Sequence, residues 1–160
     1  MVDYTENSLT PLLHIYTKHE LIKGHLFGQR LSELVAEKEV ALGSSRKVNG
    51  LRLGRFDFFA RGAKGRTIGV EILSRPSHGK LKEKLAYTCG VDDFIFVLPE
   101  GTLELYRKPA KAFHKNSRAK CLGPEFASAS LYAWLFDTET RRFTVKDRFD
   151  RVFCVEKSRR

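Results

Sequence analysis

The chain has 160 residues, 42% of them hydrophobic and 30% charged, a composition that builds a compact core, not a disordered chain, at a length too short for two ordinary domains each with its own core. Lys and Arg number 29 against 19 Asp and Glu, a formal charge of +10, which points to polyanionic partners and to nucleic acid first. No run approaches the ~18–20 apolar residues that cross a bilayer, and residues 1–10 carry Asp3 and Glu6 without the basic and apolar regions of a secretory leader, so neither membrane insertion nor export is expected.

Cys89, Cys121 and Cys154 are odd in number and far apart, which fits reduced thiols in a cytoplasmic protein better than a metal knuckle or redox pair. In chain order, Leu26, Phe27, Leu31, Leu34, Val35 and Ala41 fall at helical separations with Glu33, Glu37, Lys38 and Glu39 between them. This spacing predicts an amphipathic helix over about 18–40, closed by Gly43-Ser44-Ser45 and weakened at its start by Gly24 and Gly28. From Lys47 the period changes. Val48 to Phe59 reads as a strand, the basic turn Arg61 to Arg66 follows, and Thr67 to Leu73 returns as the second arm of a hairpin.

Pro76 to Gly79 breaks the chain before a short helix predicted over 80–88, and the apolar run Phe94 to Leu98 reads as a strand covered on both faces. Leu103 to Tyr106 suggests a further short strand. From Arg107 through Lys120 six basic residues accumulate with no acid, a basic connector. Leu131 to Phe136 and Arg142 to Lys146 flank Asp137 to Thr140 as a second hairpin, in which Tyr132, Trp134 and Phe136 alternate as on a half-buried strand. Phe149 to Val155 then reads as a third strand. Together these elements predict a single α/β (α+β) domain over 1–160, a mixed central sheet flanked by helices over 18–106 and a connector with C-terminal strands over 107–160.

The informative feature is a pair of acids where apolar residues belong: Asp57 within Arg55-Phe56-Asp57-Phe58-Phe59, and Glu71 within Val70-Glu71-Ile72-Leu73. Burying a carboxylate costs several kcal/mol unless it is paired or holds a metal. Hairpin pairing can bring the two together, where they repel and raise each other's pKa unless a cation sits between them. Mg2+ or Mn2+ suits such an all-oxygen site. The alternative is that each acid lies on a solvated strand face or pairs with Arg55, Arg75 or Lys82.

A helix, Asp57 in a strand, Glu71 fourteen positions later in the next strand, then a helix and an apolar strand resemble the restriction-endonuclease-like, or PD-(D/E)XK, nuclease superfamily, most closely the small archaeal Holliday-junction-resolvase type. The likeness spans about Lys18 to Leu98. It implies that Asp57, Glu71 and the backbone carbonyl of Ile72 hold a divalent ion, and that an acid of the first helix assists. Glu33 is the choice for that acid, with Glu37 or Gln29 as substitutes. The tripeptide reads Glu71-Ile72-Leu73, so the lysine usual at its third position is missing. A lysine from the next helix can serve instead, Lys82 by preference with Lys80 and Lys84 open, or catalysis is lost and the fold only binds DNA.

Basic residues recur near aromatics. Arg61, Lys64 and Arg66 lie in the hairpin turn, Lys80 and Lys84 at the start of the following helix, and Lys111, Lys115 and Arg118 in the connector. Such groups suit phosphate contacts that give affinity without base readout. His14, His19 and His25 show no i, i+4 pairing among themselves and read as incidental. The expectation is a Mg2+-dependent DNA endonuclease, structure-selective for branched or junction DNA and acting as a homodimer. An inactive DNA-binding protein on the same scaffold, or an RNA-binding module with structural acids, are the competitors.

Overall fold

A computed structural model of the protein describes residues 6–23, 25–26, 29–43, 51–74, 84–85, 88, 91–104 and 129–153. Helix α1 (Glu6–Ile22) turns Leu13, Thr17 and Leu21 inward at a spacing of four, all fully buried. Pro11 lies within it, leaving one backbone carbonyl of the preceding turn without its intrahelical donor. After a two-residue strand β1 (His25–Leu26), the chain runs through β2 (Gln29–Gly43), β3 (Leu51–Gly62), β4 (Thr67–Ile72), β5 (Asp93–Pro99), β6 (Ser130–Asp137) and β7 (Arg142–Arg148), and then α2 (Phe149–Phe153). The sheet order follows the chain, β1 through β7.

The helix expected over 18–40 is therefore wrong in place and in type. The helix comes earlier, and Gln29–Gly43 is a strand paired antiparallel with β3 from Leu31↔Gly62 to Gly43↔Leu51. Residues 29–42 are good helix formers taken singly, but the long ladder to the aromatic strand β3 overrides that propensity. The predicted first hairpin is present, with Phe58 opposite Val70 and Arg61 opposite Thr67. Its turn closes by Gly65 N–H to Gly62 O at 2.9 Å and Gly62 N–H to Arg66 O at 2.8 Å, with Gly65 at φ 91°, a left-handed conformation that favours glycine.

β4, β5 and β6 run parallel, in the registers Val70↔Ile95 and Ile95↔Tyr132. All seven residues of β5 are buried, as its continuous apolar run predicts for a strand covered on both faces. The second hairpin, β6–β7, is also present. Two expectations for this half of the chain fail. Leu103 and Glu104 are helical, and Phe149–Phe153 is a helix instead of a third strand. Tyr132, Trp134 and Phe136 do not mark a half-buried strand either, because Leu131, Ala133 and Leu135 on the other face are buried as well.

Two apolar layers result. On one face Phe58, Ala60, Ile68, Val70, Ile95, Val97 and Trp134 meet Leu21 of α1. On the other, Phe56, Phe59, Phe94 and Phe96 pack with Phe149 and Phe153 of α2 and with Leu85. Gly69 belongs to this second layer because a Cβ there would already stand 3.4 Å from the Phe56 and Phe94 rings. The C-terminal segment thus completes the core that begins at β3. Phe149→Ala should cost about 3–5 kcal/mol in urea unfolding, as Phe94→Ala should; a loss under about 1 kcal/mol would mean that α2 is not part of the core.

Candidate functional site

The β3–β4 ladder begins at Phe58↔Val70, so Asp57 and Glu71 stand at the end of the hairpin farthest from its turn, where the two strands part. Beyond the last rung, the Ile72 N–H has no β3 carbonyl to meet and donates instead to Asp57 Oδ2 at 2.7 Å. The side chain supplies the acceptor that the ladder no longer provides. Leu73 N–H donates to Val97 O at 2.7 Å, which keeps the end of β4 fastened to β5. Helix α1 docks at the same place through Thr10 Oγ1 and Ser74 Oγ, 2.6 Å apart.

Glu71 is 2% exposed. Its Oε1 lies 3.3 Å from Lys84 Nζ, while its Oε2 is buried without a hydrogen-bond partner. Burial, followed by the negative charge of Asp57, pushes the Glu71 carboxyl from an ordinary value of 4.5 up to about 8, against the opposing pull of Lys84. The two acids thus share one polar spot in an otherwise apolar layer. Asp57 keeps partial access to solvent, with 27% of its side chain exposed.

Among the described residues there is no cluster of three or more His, Cys, Asp or Glu able to hold a metal. Two carboxylates with an unpartnered buried oxygen nevertheless fit a hard divalent cation, because Mg2+ often takes only one or two carboxylates and keeps several waters. Both carboxylates offer oxygen donors, as Mg2+ and Mn2+ prefer.

The other predicted residues are placed as follows. Glu33 is on strand β2, not on a helix, and pairs with Arg61 at 3.3 Å; it does not assist Asp57 from the first helix. Glu37 and Gln29 are also on β2. Arg61 lies over the Phe59 ring. Arg66 makes two bonds of 2.9 Å to Asp93, itself 2% exposed, and so ties the starts of β4 and β5 together. Lys64 is exposed in the turn, seven residues along the chain from both Asp57 and Glu71, so about 20 Å of hairpin separates it from the acids. Lys80, Lys82, Lys111, Lys115 and Arg118 lie outside the described residues.

Sequence reasoning missed His14. Its Nε2 is 3.6 Å from Asp57 Oδ1 and its ring tilts onto Phe58 at 5.5 Å. The available signal was the i, i+4 spacing of Thr10 and His14, which becomes one helix face only once the helix is placed at Glu6–Ile22. Lys84, one of three candidate lysines, is the one seen against Glu71.

Fold and site together define a mixed α/β protein with a carboxylate pair and a lysine at a strand divergence. Comparison with protein-family models and with curated proteins finds no match. No helix among the described residues is long and apolar enough to cross a membrane.

The folded protein holds the Glu71 proton more tightly than the unfolded chain does, so this stabilising contribution is complete below pH 4.5 and is lost as pH rises through about 8. In the presence of a chelator, Glu71→Gln should match the wild type in stability near pH 4.5. Above pH 8 it should exceed the wild type by ~1–3 kcal/mol, read from paired urea titrations. A stability difference that does not change with pH would show that Glu71 is not the buried acid described.

Proposed function

We propose that this chain is a metal-dependent deoxyribonuclease built on a restriction-endonuclease-like core. The observation that carries the reading is the meeting of Asp57 and Glu71 where β3 leaves β4, with Lys84 against the buried carboxyl. The element order supports it: a helix, three antiparallel strands bearing the two acids, and a strand parallel to the third. The surplus of ten positive charges favours a phosphodiester polymer as substrate.

In this reading Asp57, Glu71 and the Ile72 carbonyl hold Mg2+ or Mn2+. When bound, the ion lowers the pKa of an attacking water and offsets the charge that develops on the phosphate. Asp57 is oriented for this by the Ile72 N–H, and Glu71, kept protonated by burial up to about pH 8, would give up its proton when the ion binds. Of the three lysines that the sequence offers, this reading gives the catalytic role to Lys84, the one described beside Glu71. Its ammonium, 16% exposed and 3.3 Å from Glu71 Oε1, would replace the lysine that Leu73 cannot supply and donate to the attacking water or to a phosphate oxygen. Leu73 itself is buried in the core. A homodimer would present two such sites, as cutting both strands of a symmetric duplex requires.

Plasmid, branched and single-stranded DNA incubated with Mg2+ or Mn2+ should be cut by the wild type, and cutting should fall ~10^2–10^3-fold in Asp57→Ala, Glu71→Ala and Lys84→Ala. DNA affinity of Lys84→Ala measured in chelator should stay within ~3-fold of wild type, since one phosphate contact among many adds little. Binding without cutting of any substrate would favour the inactive DNA-binding protein. Cutting that survives both carboxylate substitutions would remove the site assignment.

A further inference from the structure

We infer that His14 is a positioning residue for the Asp57 carboxylate, an inference that rests on the metal-site reading above and concerns how that site is held in shape. Asp57 has two oxygens with different surroundings. Oδ2 accepts the Ile72 N–H at 2.7 Å, whereas Oδ1 faces His14 Nε2 at 3.6 Å. A single hydrogen bond leaves the carboxylate plane free to turn about that bond. A second contact on the other oxygen sets the plane, and with it the direction in which the remaining lone pairs point.

The imidazole is itself held in place. Its ring tilts onto Phe58, the residue next to Asp57, at 5.5 Å. One turn earlier on the same helix face, Thr10 bonds Ser74 just past the end of β4. The helix is thus pinned to both strands that carry the acids, and a shift of α1 would move His14 against Asp57. The 3.6 Å separation is slightly longer than a hydrogen bond, as is common in sites before a ligand tightens them.

Helix docking alone does not explain the residue. Leu13, Thr17 and Leu21 already bury the inward stripe of α1, and His14 stands beside that stripe with 28% of its side chain exposed, over the acid. Glu20 of the same helix is engaged elsewhere, by Lys23 at 3.2 Å and by Lys146. Among the described side chains, the one that α1 brings to Asp57 is thus an imidazole, which can donate to a carboxylate.

The test is Mn2+ binding to the full chain without DNA, measured by titration calorimetry for the wild type, Asp57→Ala, His14→Phe and His14→Gln. Phe keeps a ring on Phe58 but has no donor; Gln keeps a donor of similar reach. The wild type should bind Mn2+ through Asp57, His14→Phe should bind 10–100-fold more weakly, and His14→Gln should recover to within ~3-fold of wild type. Equal affinity of His14→Phe and wild type would overturn the positioning role while leaving the metal site intact. Absence of Asp57-dependent Mn2+ binding in the wild type would overturn both. Thermal unfolding in chelator accompanies each variant, and His14→Gln decides the matter if His14→Phe does not fold, because a folded His14→Gln with affinity reduced 10-fold or more would also overturn the inference.

Discussion

A carboxyl group buried beside a second carboxyl is the feature around which the rest of this structure is arranged. Glu71 is 2% exposed, and burial raises its proton affinity, with Asp57 raising it further. Lys84 meets one of its oxygens and leaves the other without a partner. Elsewhere the protein satisfies its buried charge: Asp93, equally enclosed, receives two bonds from Arg66. The contrast between these two acids, one fully met and one half met, is what marks the first as structural and the second as a functional candidate.

The fold creates that spot by ending a ladder early. From the turn, β3 and β4 pair from Arg61↔Thr67 to Phe58↔Val70 and then separate, while β4 stays bound to β5 through Leu73. In the gap, Asp57 caps a backbone donor that would otherwise be orphaned. α1 closes one side through Thr10 and His14, and Lys84 closes the other. The core that fixes these pieces extends to the far end of the chain, since β6 and α2 contribute Leu131, Leu135, Phe149 and Phe153 to the layer that buries Phe94 and Phe96. The proposed nuclease chemistry needs this rigidity, because two carboxylates and a lysine act together only when held to within a fraction of an ångström.

The positively charged turn shows how much of a cation's setting lies outside its own stretch of chain. Arg61 and Arg66 read as phosphate contacts when only their neighbours in the chain are known. In the structure both face acids brought from other strands, Glu33 of β2 and Asp93 of β5. Charge composition sets the sign of the whole surface, but each cation's partners come from residues 27 or 28 positions away.

Period and composition alone located both hairpins, the fully buried strand β5 and the two acids, because a strand's alternation and the rarity of a carboxylate within an apolar run are local properties. They could not place the first helix or recognise β2. Residues 29–42 carry helix-forming side chains, and only the ladder to β3 makes them a strand. With the helix at Glu6–Ile22 and β2 at Gln29–Gly43, Glu33 falls on a strand and His14 comes over Asp57. The approach of Lys84 to Glu71, the burial that raises Glu71 and the approach of His14 to Asp57 all depend on distances across the chain. Sequence determined which groups were costly to bury; packing of non-local segments decided which neighbours those groups would have.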